Sequence, residues 1–236
     1  MIERLMTKIF AILLLLMSFS ASATPFKIGV YSEYPFSNGV EARFGILPTP
    51  VEIKIKVGAL APGYIMGGSE ALLEANRINV EQAIIFDNAY EEGFHFEISL
   101  GSKIPKISRQ LYFDFGYAMI RGDGHLPPAD TLSLISHGRP VRNLGPSKEN
   151  YELGLKGDIH FFQGSLGYLI PINKVIDIKA ELSLKHGFHS SIEAEYGPRL
   201  YKDALSKRFD EAQKDALNSV PVLPSVTVGV NYGIDL

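Results

Sequence analysis

From Phe26 onward the chain is written largely in period two. Its closing stretch places Val226, Val228, Val230, Tyr232, Ile234 and Leu236 on alternate positions, separated by Thr227, Gly229, Asn231, Gly233 and Asp235. Successive strand side chains point to opposite faces, so this predicts a strand with one apolar face and one small or polar face. Small and polar residues suit the curved interior of a narrow barrel, although this strand alone would equally serve as the edge of a soluble periplasmic sandwich. The same alternation occurs at Phe26, Ile28 and Val30, at Val40 to Ile46, at Val51 to Ala59, at Phe94 to Leu100, at Leu111 to Met119 and at Ile176 to Leu184. Tyr151 to Ile172 alternates at both ends around Phe162-Gln163-Gly164. It reads either as one long strand with a bulge near Gly164 or as a hairpin.

The connections decide between those two. Ser37-Asn38-Gly39 predicts a hairpin turn, Pro48 and Pro50 a second tight turn, Pro105 a third and Asn173-Lys174 a fourth. Elsewhere the connections are long. Glu70 to Ala75 are good helix formers behind a candidate Ser69 cap, with helix resuming at Val80 to Phe86. Arg121 to Asn150 reads as a loop. From Pro198 a helix carries Leu205, Phe209, Ala212 and Ala216 on one face. Taking Tyr151 to Ile172 as one strand gives eight, with long connections after strands three, five and seven and short ones after two, four and six. An even count also returns both chain ends to one rim, as closure of the last strand on the first requires.

The expected fold is therefore all-β: a closed antiparallel eight-stranded transmembrane up-and-down β-barrel with short helices in the long connections. Long loops on one rim and short turns on the other are how outer-membrane barrels are built. The closing strand resembles the C-terminal assembly signal of bacterial outer-membrane barrels, with Leu236 where an aromatic is usual. Over nearly the whole chain after its leader, the sequence resembles the small barrels of OmpA or OmpX type enlarged by helical insertions. That resemblance implies a monomer in the outer membrane, with lipid, lipopolysaccharide and the barrel assembly machinery as partners.

The N-terminus agrees. Arg4 and Lys8, the apolar run Ile9 to Met17 and Ala21-Ser22-Ala23 read as a secretory signal peptide over residues 1–23, leaving 24–236 as the barrel domain. The apolar run is too short for a membrane helix, which needs about 20 such residues. With no Cys in the chain, thiolate metal sites and thiol catalysis are excluded. A formal net charge of −3 argues against nucleic acid as a partner.

Positions between the apolar ones would face the lumen. They include Glu41, Arg43, Glu52, Lys54, Lys56, His95, Glu97, Asp114, Glu152, Lys156, Asp158, His160, Asp177, Lys179, Glu181 and Lys185. Acids and bases nearly balance, and eight strands leave room only for side chains, so they read as an internally paired plug. Some resembling barrels modify lipid A with a His and a Ser or acid near the outer rim. Here His125, His137, His186 and His189, with Ser133, Ser136, Ser190 and Ser191, fall in or beside the long loops without triad spacing. His186, His189 and Glu193 form a metal candidate, and Gly67-Gly68-Ser69 an anion candidate better read as linker and cap. The expectation is a non-enzymatic barrel with a structural or surface-interaction role, a closed lumen, no catalytic, metal or cofactor-binding residues and no cofactor. The alternatives are a lipid-modifying enzyme on the same barrel and a soluble periplasmic lipid-binding barrel.

Overall fold

A computed structural model describes residues 25–46, 51–104, 108–128, 131, 153–196 and 202–235. The strands are β1 (Pro25–Tyr34), β2 (Ser37–Gly45), β3 (Val51–Leu60), β4 (Glu92–Ile104), β5 (Ser108–Leu126), β6 (Leu153–Pro171), β7 (Ile176–Tyr196) and β8 (Val222–Asp235). Each pairs antiparallel with its neighbour, and β8 closes on β1 from Phe26↔Ile234 to Tyr34↔Val226, giving a closed eight-stranded barrel. The expected strand count, order and closure all hold. The terminal residue Leu236, the signal segment and the turns at Pro48, Pro50 and Pro105 lie outside the described residues.

Strand lengths are unequal. β1 to β3 have 10, 9 and 10 residues, about what one crossing of a bilayer takes. β5, β6 and β7 have 19, 19 and 21, so this wall rises well beyond one crossing. The hydrophobic pattern reverses along it. In the lower part of β5, Phe113 and Phe115 point outward and Tyr112 and Asp114 inward; higher up, Arg121 and His125 point outward and Ala118, Ile120 and Leu126 inward. β6 passes from inward Gln163 and Ser165 to inward Phe161, Ile159, Leu155 and Leu153. β7 passes from inward Lys179, Glu181 and Lys185 to inward Ile192 and Ala194. An outward apolar face suits hydrocarbon around the barrel and an inward one suits water around it, so a single strand carries the patterns of both.

This reversal corrects one expectation. Lys156, Asp158 and His160 stand on the outer wall, because the odd-numbered positions of β6 face inward throughout; Glu152 lies outside the described residues. Three local expectations also change. The β1–β2 turn is at Pro35-Phe36, closed by the Phe36 N–H donating to the Glu33 carbonyl at 2.8 Å. Asn38 and Gly39 belong to β2, and a Cβ on Gly39 would stand 2.1 Å from the Val57 carbonyl oxygen, so close strand approach requires that glycine. β5 runs on to Leu126, past the start assigned to the loop, whose residues 132–150 lie outside the described ones. β6 is one strand as expected, but its pairing is regular at Gly164. The bulges are in β7, opposite His160/Phe161 and Gly154/Leu155.

Three helices among the described residues crown the long-connection rim: α1 (Pro62–Glu74), α2 (Val80–Ala89) and α3 (Lys202–Ser219). α1 starts at Pro62 behind Ala61, since proline's fixed φ and missing N–H suit the first helical position. Ser69 is therefore inside the helix rather than capping it. A Cβ on Gly68 would meet the Pro35 ring at 3.0 Å, so α1 lies directly on the β1–β2 turn. α2 begins with a capping box: the Asn79 side chain accepts from the Gln82 N–H and the Gln82 side chain from the Asn79 N–H, both at 2.8 Å. α3 buries Leu205, Phe209 and Ala216, as its apolar face predicts, with Ala212 packed beside them. It is held to β7 by the Ala194 N–H donating to Ser206 Oγ at 3.0 Å, and to α2 by Arg208 Nε and Glu81 Oε1 at 2.7 Å.

Candidate functional site

The inside of the barrel is built in two storeys. The lower storey is charged. Among the described residues, Glu33, Glu41, Glu97, Asp114 and Glu181 face Arg43, Lys54, Lys56, Lys179 and Lys185, and no side chain in this set is more than 3% exposed. Glu181 is the hub. It accepts from Lys56 Nζ at 2.7 Å, Lys54 Nζ at 3.1 Å, Arg43 Nη2 at 3.4 Å and the Tyr112 hydroxyl at 2.9 Å. Lys54 also reaches Asp114 at 2.6 Å and Glu97 at 2.8 Å. Glu33 takes Lys185 at 2.9 Å, Lys56 at 3.2 Å and the Ser225 hydroxyl at 2.8 Å, and Lys179 pairs with Glu41. The Arg43 guanidinium also lies over the Tyr112 ring, 4.3 Å from its centroid. Isolated charges would be untenable at this depth; they persist because each has counter-charges within contact.

Most of the lumen residues expected from sequence are brought together here. Strand order sets Lys54 and Lys56 beside the strand of Glu97, which they meet at 2.8 and 3.3 Å, but Lys179 and Glu181, which it sets beside Asp158 and Lys156, reach across to Glu41, Lys54 and Lys56 instead. Glu52 and Asp177 sit at the short-turn rim, against Lys103 and Lys27 respectively. Glu33 was missed, although one more step of the β1 alternation reaches it.

The upper storey is apolar. Phe36, Ile120, Leu126, Leu155, Ile159, Phe161, Ile192 and Leu205 form one buried cluster with Ile85 and Tyr90 from the α2 end. Tyr90 is tied to α3 by Gln213 Nε2, which donates to its hydroxyl at 2.7 Å, and burial pushes this phenol well above its usual range. The cluster is incompletely filled. A partly open cavity of about 230 Å³ remains, walled by Ile65 and Leu72 of α1, Phe86 of α2, Leu217 of α3, Phe36, Ile120 and Phe161 of the barrel, and Tyr34 and Pro224 at the rim. At the wall of this space α1 and α2 are joined by Ser69, a lining residue whose hydroxyl is turned to the Asp87 carboxylate, to which it donates. Partial burial raises that carboxyl above its ordinary value, against the lowering effect of the Ser69 bond.

The three histidine candidates among the described residues lie on strands rather than loops. His125 is on the outer face of β5, with Nδ1 3.4 Å from Glu91. His186 bonds the Pro221 carbonyl through Nδ1 at 2.7 Å. His189 lies against His160, ring centroids 5.2 Å apart, and His160 Nδ1 is 2.6 Å from the Tyr117 hydroxyl. Ser190 is buried facing inward, while Ser133, Ser136 and His137 lie outside the described residues. His186, His189 and Glu193 are not gathered into a ligand set. Among the described residues, the trio whose ligating atoms do converge is Glu33, His95 and Glu97. There Lys56 and Lys185 already supply the positive charge to Glu33, at 3.2 and 2.9 Å. His95 Nδ1 is 2.9 Å from Ser37 Oγ, a serine–histidine contact that spacing did not suggest, but both residues have zero exposure and no substrate reaches them. Gly67-Gly68-Ser69, lying within α1, offers no helix N-terminus to an anion.

No protein-family model matches the chain, and no curated protein matches it. Among solved structures it is similar to CarO of Acinetobacter baumannii, at 11% identity over 89% of this chain and 97% of that one, with a TM-score of 0.40. It is similar also to a major outer membrane protein from Thermus thermophilus, at 14% identity over 90% and 100%, TM-score 0.46. A third is Neisserial surface protein A, at 7% identity over 90% and 96%, TM-score 0.33. The barrel of the present chain rests on its own eight ladders.

Proposed function

We propose that the chain is an integral outer-membrane barrel, closed to solutes and without catalytic activity, that acts at the surface through its helix-crowned rim. The observation that carries this reading is the double filling of the lumen. A solute entering from the short-turn side meets the Glu181 network, in which Lys54, Lys56 and Arg43 converge on one carboxylate. From the other side it meets α2 and α3, whose Ile85, Leu205 and Phe209 are buried with Phe36, Ile120 and Phe161 of the barrel. Eight-stranded barrels are just wide enough for side chains to fill, and aqueous channels belong to barrels of about sixteen strands. A membrane rather than a soluble setting is supported by the outward band that includes Val30, Phe115, Leu182 and Val228, all more than half exposed, around a charged interior. A soluble lipid-binding barrel needs the opposite arrangement at that level.

Purified protein in planar bilayers is expected to give no steady conductance steps, and liposomes containing it should not swell in small sugars. Reproducible ohmic steps would overturn the closed-lumen reading. Extraction by carbonate from isolated outer membranes would overturn the membrane reading.

A further inference from the structure

The cavity of about 230 Å³ differs in kind from the charged lumen beneath it. Its walls come from both surfaces of the barrel. Phe36, Ile120 and Phe161 face inward, whereas Tyr34 and Pro224 stand on the outward side of β1 and β8. The space therefore passes over the top of the β1–β8 seam, where Tyr34 pairs with Val226. This is the low side of the molecule. β1 ends at Tyr34 after 10 residues, about one bilayer crossing. The seam's outward side chains, Tyr34, Val222 and Val226, are 47, 43 and 51% exposed and continue the apolar belt to the edge of the cavity. The floor is closed: Lys185 Nζ lies 5.6 Å beneath the Phe36 ring and is bound to Glu33 at 2.9 Å.

We propose that this cavity is a lateral binding site for hydrocarbon, taking one small aromatic molecule or the end of one acyl chain from the outer leaflet. Size agrees: an apolar cavity of about 150 Å³ stays dry and holds benzene, and this one is larger. The lining agrees as well, since Ile65, Leu72, Phe86 and Leu217 offer a ligand no charge to pair with. The closed floor makes it a terminus rather than a passage. The ligand enters and leaves by the same mouth, over Tyr34.

The lateral mouth rests on the membrane reading, but binding is measured independently of conductance. Fluorobenzene is titrated into the full-length protein in lipid nanodiscs and followed by ¹⁹F NMR, with empty nanodiscs as blank. Saturable binding is expected, weakened at least tenfold in Leu72→Trp, whose ring would occupy the cavity, and retained in Leu72→Ala, which enlarges it. Each variant is checked for the heat-dependent gel shift of a folded barrel. Because the chain has no Trp, Tyr34→Trp gives a single reporter at the mouth. In nanodiscs of brominated-chain lipid, quenching relieved by fluorobenzene identifies a membrane chain as the resident, and quenching unaffected by it identifies free hydrocarbon as the ligand. Absence of saturable binding overturns the proposal. So does unchanged binding in folded Leu72→Trp, or, should that variant not fold, binding abolished in Leu72→Ala. A protein that binds fluorobenzene yet conducts ions would sink the closed lumen and leave this site standing.

Discussion

Glu181 accepts hydrogen bonds from two lysines, an arginine and a tyrosine, and its side chain is fully buried. Truncating it to Leu leaves cations facing one another, and removing one partner from a buried charged set costs about 3–5 kcal/mol. The Arg121–Asp158 pair on the outer wall has good two-point geometry, at 2.7 and 3.0 Å, but stands in the open. Arg121→Gln should cost less than about 1 kcal/mol. Urea unfolding in lipid vesicles compares the two, and equal losses would mean that the plug is not structural. A second residue responds to pH. Burial holds the Asp87 carboxyl above its ordinary range, with Glu70 adding to the shift, so the folded protein keeps a proton that the unfolded chain has released. The contribution of that proton is complete below the ordinary aspartate range and is lost as pH rises through the folded value. Amide protection in α1 and α2, taken relative to the intrinsic exchange rate at each pH, should therefore fall across that window, and Asp87→Asn should flatten the dependence. The sequence made most plug residues legible, because period two assigns alternate side chains to opposite faces. It could not say which cation would meet which anion, since Lys179 reaches from β7 across the lumen to Glu41 on β2.

At the scale of elements, legibility failed where one strand passes between two surroundings. Alternation places Lys156, Asp158 and His160 on one face of β6 and Leu155, Ile159 and Phe161 on the other, but does not reveal which face meets the interior. Below, the apolar face turns outward; above, it turns inward onto α2 and α3. The helix start was misplaced for another reason: Ser69 looked like a cap, yet Pro62 at the first helical position sets the boundary a full two turns earlier. Asn38-Gly39 misled in the same way, because that glycine serves strand contact rather than a turn. The crossing of surroundings gives a direct test on β5. Phe115→Lys should destabilise by about 2–4 kcal/mol, as charges do near mid-bilayer. Asp123→Lys, eight positions higher on the same outward row, should change stability by well under about 1 kcal/mol. Similar losses at both sites would mean that β5 has hydrocarbon along its whole outer face.

For the whole molecule, the unequal strands matter more than their number. With the barrel in a bilayer, as proposed, the wall of β1 to β3 is about one crossing long and ends near the membrane surface, and that of β5 to β7 continues beyond it with Arg121, Asp123 and His125 turned outward. A symmetrical barrel looks alike from every direction in the plane of the membrane. This one has a front and a back. A neighbour drifting up to the β1–β8 side finds a low parapet and an oily doorway, while one arriving at the opposite side finds a palisade of mixed charge. Rotation about the membrane normal, idle in a cylinder, thus decides what the molecule presents to its neighbours.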